Sequence, residues 1–166
     1  MSVREISIQR FSVTSSRAFD DVVSSLETNI GRPDMAAFRK SATAANTFPE
    51  FEEIVHKAVG PSDLMEFARF DLGEVLRKGS GSDRPRVLRF VAGNPLIMKK
   101  MVEQVHDAGS YAPVTILIDE RADGVHLSYD RMASLLAPYD NADALKVAQD
   151  LDSKVETLLT AAATGR

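Results

Sequence analysis

Apolar residues recur along this chain in two rhythms, every second position in some stretches and every third or fourth in others, and the change between them marks out the elements. Residues 3 to 13 alternate, with Ile6 and Ile8 on one face and Phe11 and Val13 one step out of phase; this predicts a strand with a bulge near Gln9 or Arg10. Ser15 or Ser16 is placed to cap a helix whose apolar positions Phe19, Val22, Val23, Leu26 and Ile30 follow helical spacing, and Gly31 ends it before Pro33. Met35 and Phe38, one turn apart, predict a short helix over residues 34 to 42. Phe51, Ile54, Val55 and Ala58 predict the inward side of another over residues 49 to 59, and "GPSD" (60 to 63) breaks the chain.

The signal from Leu64 to Arg77 is mixed. Met65 and Phe67 alternate like a strand, Phe70 and Leu72 alternate in the opposite phase, and Gly73 interrupts, so a bent or bulged strand is expected. The segment "KGSGSDRP" (78 to 85) reads as an over-long mobile connection to a strand over residues 86 to 92. Asn94 then caps a helix with Pro95 at its first position, where a missing amide hydrogen costs nothing. Ile97, Met98, Met101, Val102 and Val105 give that helix one apolar stripe. Residues 112 to 130 form a hairpin whose turn carries Asp123-Gly124, a pair suited to positive backbone angles. Residues 132 to 136 allow one helical turn. The last helix spans about 141 to 163, with Ala148, Leu151, Val155, Leu158 and Ala162 making a seam of coiled-coil pattern too short to stand free.

Hairpins outnumber crossovers in this order of elements, so the expected fold class is α+β: a single antiparallel sheet of four or five strands with helices packed on one face. At 166 residues and 44% hydrophobic composition the chain supports one substantial core, and a single domain over residues 1–166 is expected. The chain has no cysteine, which removes disulfides, thiolate nucleophiles, iron–sulfur ligation and cysteine zinc sites at once. The N-terminal residues alternate polar and apolar without the apolar block of a secretory signal, so a cytoplasmic location is expected. No apolar run approaches the length of a membrane span, which argues against a membrane partner. A net charge of -4 argues against a broad attraction to nucleic acid.

Candidate chemistry is sparse, and each feature has a structural reading beside the functional one. Gly93, Asn94 and Pro95 fit an anion-binding helix start and equally a plain capped turn; neither a dinucleotide fingerprint nor a phosphate-binding loop is complete. Arg77, Lys78, Arg84, Arg86 and Arg89 gather within thirteen residues, but without an aromatic residue to stack a base they read as a solvated loop. His56, His106 and His126 show no paired metal-ligand spacing, and His126 points away from Val125, Leu127 and Tyr129. Met98 and Met101 are better explained as core filler than as a copper site. No metal site and no cofactor is expected. There is no G-x-S-x-G elbow, and Asp119, Glu120 and Asp123 are accounted for by the hairpin tip. Arg69, Asp71 and Asp130 lie on or just after strands, where a side chain can enter a pocket with its ionisation tuned by burial. Tyr129, Asp130 and Ser134 place several hydrogen-bonding groups close together at the end of the hairpin.

The runs "GNPLIMKKMVEQ", "YAPVTILIDERADGVHLSYDRMASLL" and "AQDLDSKVETLL" resemble the bacterial family called domain of unknown function 302. The earlier "IGRPDMAAF" and "GPSDLMEFARFDLGEVLR" are similar to a longer version of it, so the resemblance covers nearly the whole chain. It implies a compact α/β domain with an antiparallel sheet, commonly a homodimer, in small cytoplasmic bacterial proteins, and it implies no established reaction. Asn94-Pro95, and Tyr129-Asp130 with Ser134, fall in the matching segments without a catalytic assignment. The chain departs from the family pattern at Met132, where a proline is expected after "YDR".

Three functions are then open. The first is a homodimer binding a small, anionic ligand between sheet and helices near Arg69, Asn94 and Tyr129, with Asp71, His126, Asp130 and Ser134 as further ligand-binding candidates. The second is an enzyme using Asp71, Asp130 or His126 as acid or base with Arg69 steadying charge. The third is a protein–protein interaction module using the apolar seam of the last helix.

Overall fold

The computed structural model describes residues 1, 3–83 and 85–166. Its centre is a five-stranded antiparallel sheet in the order β1-β5-β4-β3-β2. The strands are β1 (Arg10–Ser15), β2 (Met65–Asp71), β3 (Val87–Gly93), β4 (Val114–Arg121) and β5 (Gly124–Asp130). The helices are α1 (Phe19–Asn29), α2 (Met35–Ala44), α3 (Phe48–Ala58), α4 (Leu72–Ser80), α5 (Pro95–Val102), α6 (Met132–Leu136) and α7 (Ala142–Thr164). This is the α+β class expected.

The period-two pattern divides the sheet into a covered and an open face. Phe90, Ile116, Ile118, Leu127 and Tyr129 are buried on one side, joined there by Val22 and Leu26 of α1, Met101 of α5 and Leu151, Val155, Leu158 and Leu159 of α7. Each large side chain removed from water in this way contributes about 1.5 to 3 kcal/mol before the entropy of ordering is charged against it. The opposite side carries Ser12, Thr14, Arg89, Thr115, His126 and Ser128, all partly or fully exposed. The seam on α7 is spent inside the molecule: Ala148, Leu151, Val155, Leu158 and Ala162 are all buried, packing against α1, α5, α6, β1 and β5. That corrects the reading of α7 as a partner-binding surface.

Several local expectations hold and several change. Residues 3–9 are not a strand: β5 ends at Asp130, opposite Arg10, and beyond that pair, among the described residues, the backbone is bonded only at Gln9, whose carbonyl accepts from the Arg131 amide at 2.9 Å, so the ladder does not continue. The register through β1 is regular, without a bulge; alternation alone does not make a strand where no ladder partner exists. Ser15 does not cap α1. Its hydroxyl donates to the Ala163 carbonyl at 2.6 Å, tying β1 to the end of α7, and Ala18 occupies the capping position without a side-chain bond. The bulge expected in the 64–77 region is present, with the β2–β3 register shifting between Glu66 and Ala68. The strand then stops at Asp71, whose carboxylate accepts from the Glu74 amide at 3.0 Å and starts α4, a helix where strand and mobile loop were expected. Gly81, at φ 66, ends it. Arg84 of the basic segment lies outside the described residues; among the others Arg77 pairs with Asp71, Lys78 with Glu74 and Arg86 with Asp20.

The β4–β5 turn carries Ala122 and Asp123, with Arg121 paired to Gly124. Gly124 has φ 137, and a Cβ there would stand 2.6 Å from the Ser15 carbonyl oxygen, so the end of β1 requires a glycine at this point. The helix after Asn94 ends at Val102, so Val105 falls beyond it, before a 3-10 turn over His106–Ser110. No described helix is long and apolar enough to cross a membrane.

Candidate functional site

The chain between β3 and α5 is built by Asn94. Its Oδ1 accepts from the Leu96 amide at 2.8 Å, capping α5, while its Nδ2 donates to the Asp63 carbonyl and carboxylate at 3.0 and 3.1 Å. Asp63 sits at φ 62 in the "GPSD" turn and lies 3.1 Å from Lys154 on α7, so one side chain staples a helix start to a distant loop. Asn94 is buried and its polar atoms are committed. It therefore organises the site without offering a free hydrogen bond to a ligand.

Beside it lies a cavity of about 270 Å³ between α5, the start of β4 and α7. Phe67, Ile97, Met98, Met101, Pro113 and Leu151 form most of its walls, and no charged side chain lines it. Phe67 is the residue skipped by the bulge in β2, and its ring lies over Gly93 beside Pro113, where a Cβ would make ordinary contacts of 3.6 Å to Cε2 of Phe67 and 3.4 Å to Cβ of Pro113. Bulges re-aim side chains in this way at the margins of binding sites. Two methionines on the wall make the space adaptable in shape.

A second concavity of about 300 Å³ opens at the other side of Val114, bordered by Arg10, Tyr111, Thr115, Leu117, Ser128 and Asp130. Its charges neutralise each other: Arg10 donates to both carboxylate oxygens of Asp130, at 2.6 and 2.9 Å. The Asp130 carboxyl is held below its ordinary range by that hydrogen bond, and the guanidinium of Arg10 is raised by the same bond.

The other candidates are dispersed. Tyr129 borders the second concavity, but its hydroxyl donates to Asp152 at 2.7 Å and accepts from the Met132 amide at 3.1 Å. Burial and the adjacent Asp152 carboxylate push this phenol well above its ordinary range. Ser134 accepts from the Gln9 amide at 3.0 Å and donates to the Arg131 carbonyl at 2.7 Å, which fixes the N-terminal segment to α6. His126 lies on the open face, 2.8 Å from the Asp123 carboxylate, and its hydrogen bond holds Asp123 below the usual carboxylate range. Arg69 grips Glu66 at 2.7 and 3.0 Å, pairs with Glu27, and lays its guanidinium 4.3 Å from the centre of the Phe90 ring. Burial works against its charge, but the Glu66 and Glu27 carboxylates more than compensate and its pKa is raised. Asp71 is held down by Arg77, at 2.6 Å, while capping α4.

These groups do not form one cleft. Asp71 is three strands from β5, roughly 14 Å at ordinary strand spacing, and His126 and Asp130 are four residues apart along β5, roughly 13 Å. Of Arg69, Asn94 and Tyr129, Asn94 borders the first cavity, Tyr129 the second and Arg69 neither. Asp130 and His126 are thus remote from Arg69, whereas Asp71, two residues from Arg69 on β2, is engaged by Arg77, and Arg69 by Glu66 and Glu27.

Two contributors were missed in the sequence. Asp152 is 1% exposed, and accepts from Tyr129, from the Met132 amide at 2.7 Å and from the Ala133 amide at 3.1 Å, so it caps α6 from inside the core. Its signal was present, since it falls four residues after Ala148 and three before Val155, within the apolar stripe. Phe67 falls in the bent or bulged strand that the sequence suggests, but only the pairing with β3 places the bulge at it.

The family described as Domain of unknown function DUF302 matches residues 40–162. The crystal structure of an uncharacterized conserved protein DUF302 from Bacillus stearothermophilus is similar in fold, with a TM-score of 0.62 at 10% identity, over 91% of this chain and 95% of that one. No curated protein matches. With its matched segment reaching from α2 to α7, the chain belongs to the DUF302 family.

Proposed function

We propose that this chain, a single domain over residues 1–166, is a cytoplasmic, homodimeric small-ligand-binding protein whose site is the cavity beside α5. The observation that carries the reading is the space of about 270 Å³ that the β2 bulge and Phe67 help to enclose. A pocket lined mainly by apolar side chains on rigid elements is the usual form of a small-molecule site. Its walls set the ligand class. With no cation on the lining and Asn94 already satisfied, the occupant is apolar, or buries an apolar group there, in place of the anion expected from sequence. An anion at the other concavity would have to compete with Asp130 for Arg10, which already makes two bonds to it.

A ligand that binds the folded state raises the melting temperature. Native mass spectrometry of the purified protein, followed by a thermal-shift screen of small apolar alcohols, aromatics and fatty acids beside sugar phosphates and organic acids, is the test. A shift with the apolar set that is lost in Met98→Trp supports the reading. A shift only with anions, or none with any compound, overturns it.

A further inference from the structure

Helix α4 presents its apolar stripe outward. Leu72, Val75 and Leu76, at helical spacing, are 41%, 73% and 51% exposed, and Phe70, just before them on β2, is 49% exposed. The helix is anchored by its other side: Gly73 is its one buried residue, packed so closely on the start of β3 that a Cβ there would lie 2.7 Å from the Pro85 carbonyl oxygen. Amphipathic helices ordinarily turn the apolar stripe to the core. Single exposed apolar residues need no explanation, but four within seven positions form a patch of the kind that marks an interaction surface.

We infer that this patch is where a second copy of the chain docks across a twofold axis, which rests on the homodimer reading above and locates its interface. Charge favours a copy as the occupant. The ionised groups of α4 and its cap are matched within the chain, Asp71 with Arg77 at 2.6 Å and Glu74 with Lys78 at 2.6 Å, so these groups neither repel their own image nor select an oppositely charged partner. A twofold axis brings identical stripes together, and each supplies the apolar complement of the other. The area is consistent with this. Four such side chains leave on the order of 400 Å² in water on each copy, so pairing them removes on the order of 800 Å², roughly half of a standard specific interface. The remainder is at hand in β2, an edge strand whose outer side, among the described residues, is paired only at its start, where Gly31 and Gly60 bond Leu64 and Gly31 bonds Glu66.

The test is the mass of the full chain in solution by light scattering, for the wild type, Val75→Glu and Leu76→Glu. The expected result is twice 18.1 kDa for the wild type and 18.1 kDa for both variants, with unchanged far-ultraviolet circular dichroism. Because Val75 and Leu76 are exposed, the variants fold as monomers if the patch is the interface. A wild-type dimer with both variants still dimeric overturns the location and leaves the homodimer reading standing. A wild type that is monomeric at tens of micromolar overturns both, and points to a foreign protein as the occupant of the patch.

Discussion

The Tyr129 hydroxyl donates a 2.7 Å hydrogen bond to the carboxylate of Asp152, joining the last turn of β5 to the middle of α7 inside the core. The same carboxylate holds the first amides of α6, and Arg131 lies 3.7 Å away at its outer side. Asp152→Ala removes the acceptor of the phenol hydrogen and of the Ala133 amide and leaves the Met132 amide only its 3.1 Å bond to the Tyr129 hydroxyl, and it is expected to cost about 3 kcal/mol. Tyr129→Phe, which leaves the amides capped, is expected to cost about 1 kcal/mol. Urea unfolding of the two single variants and the double variant measures this; the double variant should lose less than the sum, because the two changes remove one shared bond.

The Arg10–Asp130 pair clamps the start of β1 to the end of β5 at the sheet edge. Both side chains are substantially exposed, so Asp130→Asn should cost only about 0.5 kcal/mol at neutral pH. The sign of the pH dependence follows from the depressed Asp130 pKa. Its contribution is complete above the unfolded carboxylate value, about 3.9, and is lost as the pH falls through the lower folded value. Melting temperatures of wild type and Asp130→Asn should therefore differ above the unfolded carboxylate value and draw together as the pH falls through the lower folded one.

Gly124 is the position least tolerant of a side chain in the β4–β5 hairpin. Gly124→Ala sets a Cβ against the Ser15 carbonyl at a backbone angle unfavourable to it, and the loss is expected to be about 2 to 3 kcal/mol, read by denaturant unfolding. Gly79, which meets nothing within 4 Å and lies in a helix, is the control: Gly79→Ala should be neutral or slightly stabilising.

The sequence revealed elements that carry one strong period and a chemical stop. Pro95 after Asn94, and the seam from Ala148 to Ala162, left little room for another reading, and both helices form, the first ending at Val102, short of Val105. It failed where the local pattern depends on a distant partner. Residues 3–9 alternate like a strand but run past the end of β5, and nothing in their own order records that. Leu72, Val75, Leu76 and Gly79 have helical spacing, yet the preceding Phe70 and the interrupting Gly73 suggested a strand; Asp71, three residues before Glu74, was the cap that separated the two. The candidate site was less legible than the fold. Asn94 was recognised as a cap, and it is one, but the cavity beside it depends on a register shift between β2 and β3 that only pairing can reveal. Tyr129, Arg69 and Asp71 drew notice as polar residues in strands, and each is occupied in holding the structure together.

The most direct measurement of the ligand-binding account is an NMR titration of methyl-labelled methionine in the intact protein with toluene, indole and n-hexanol. Met98 and Met101 line the cavity, whereas Met35 of α2 does not. The account predicts saturable shifts of the Met98 and Met101 methyl signals with Met35 unmoved, and their loss when Leu151→Trp fills the space. Saturation at Met35 alone, or no saturable change at Met98 and Met101 with any of the three probes, would contradict it.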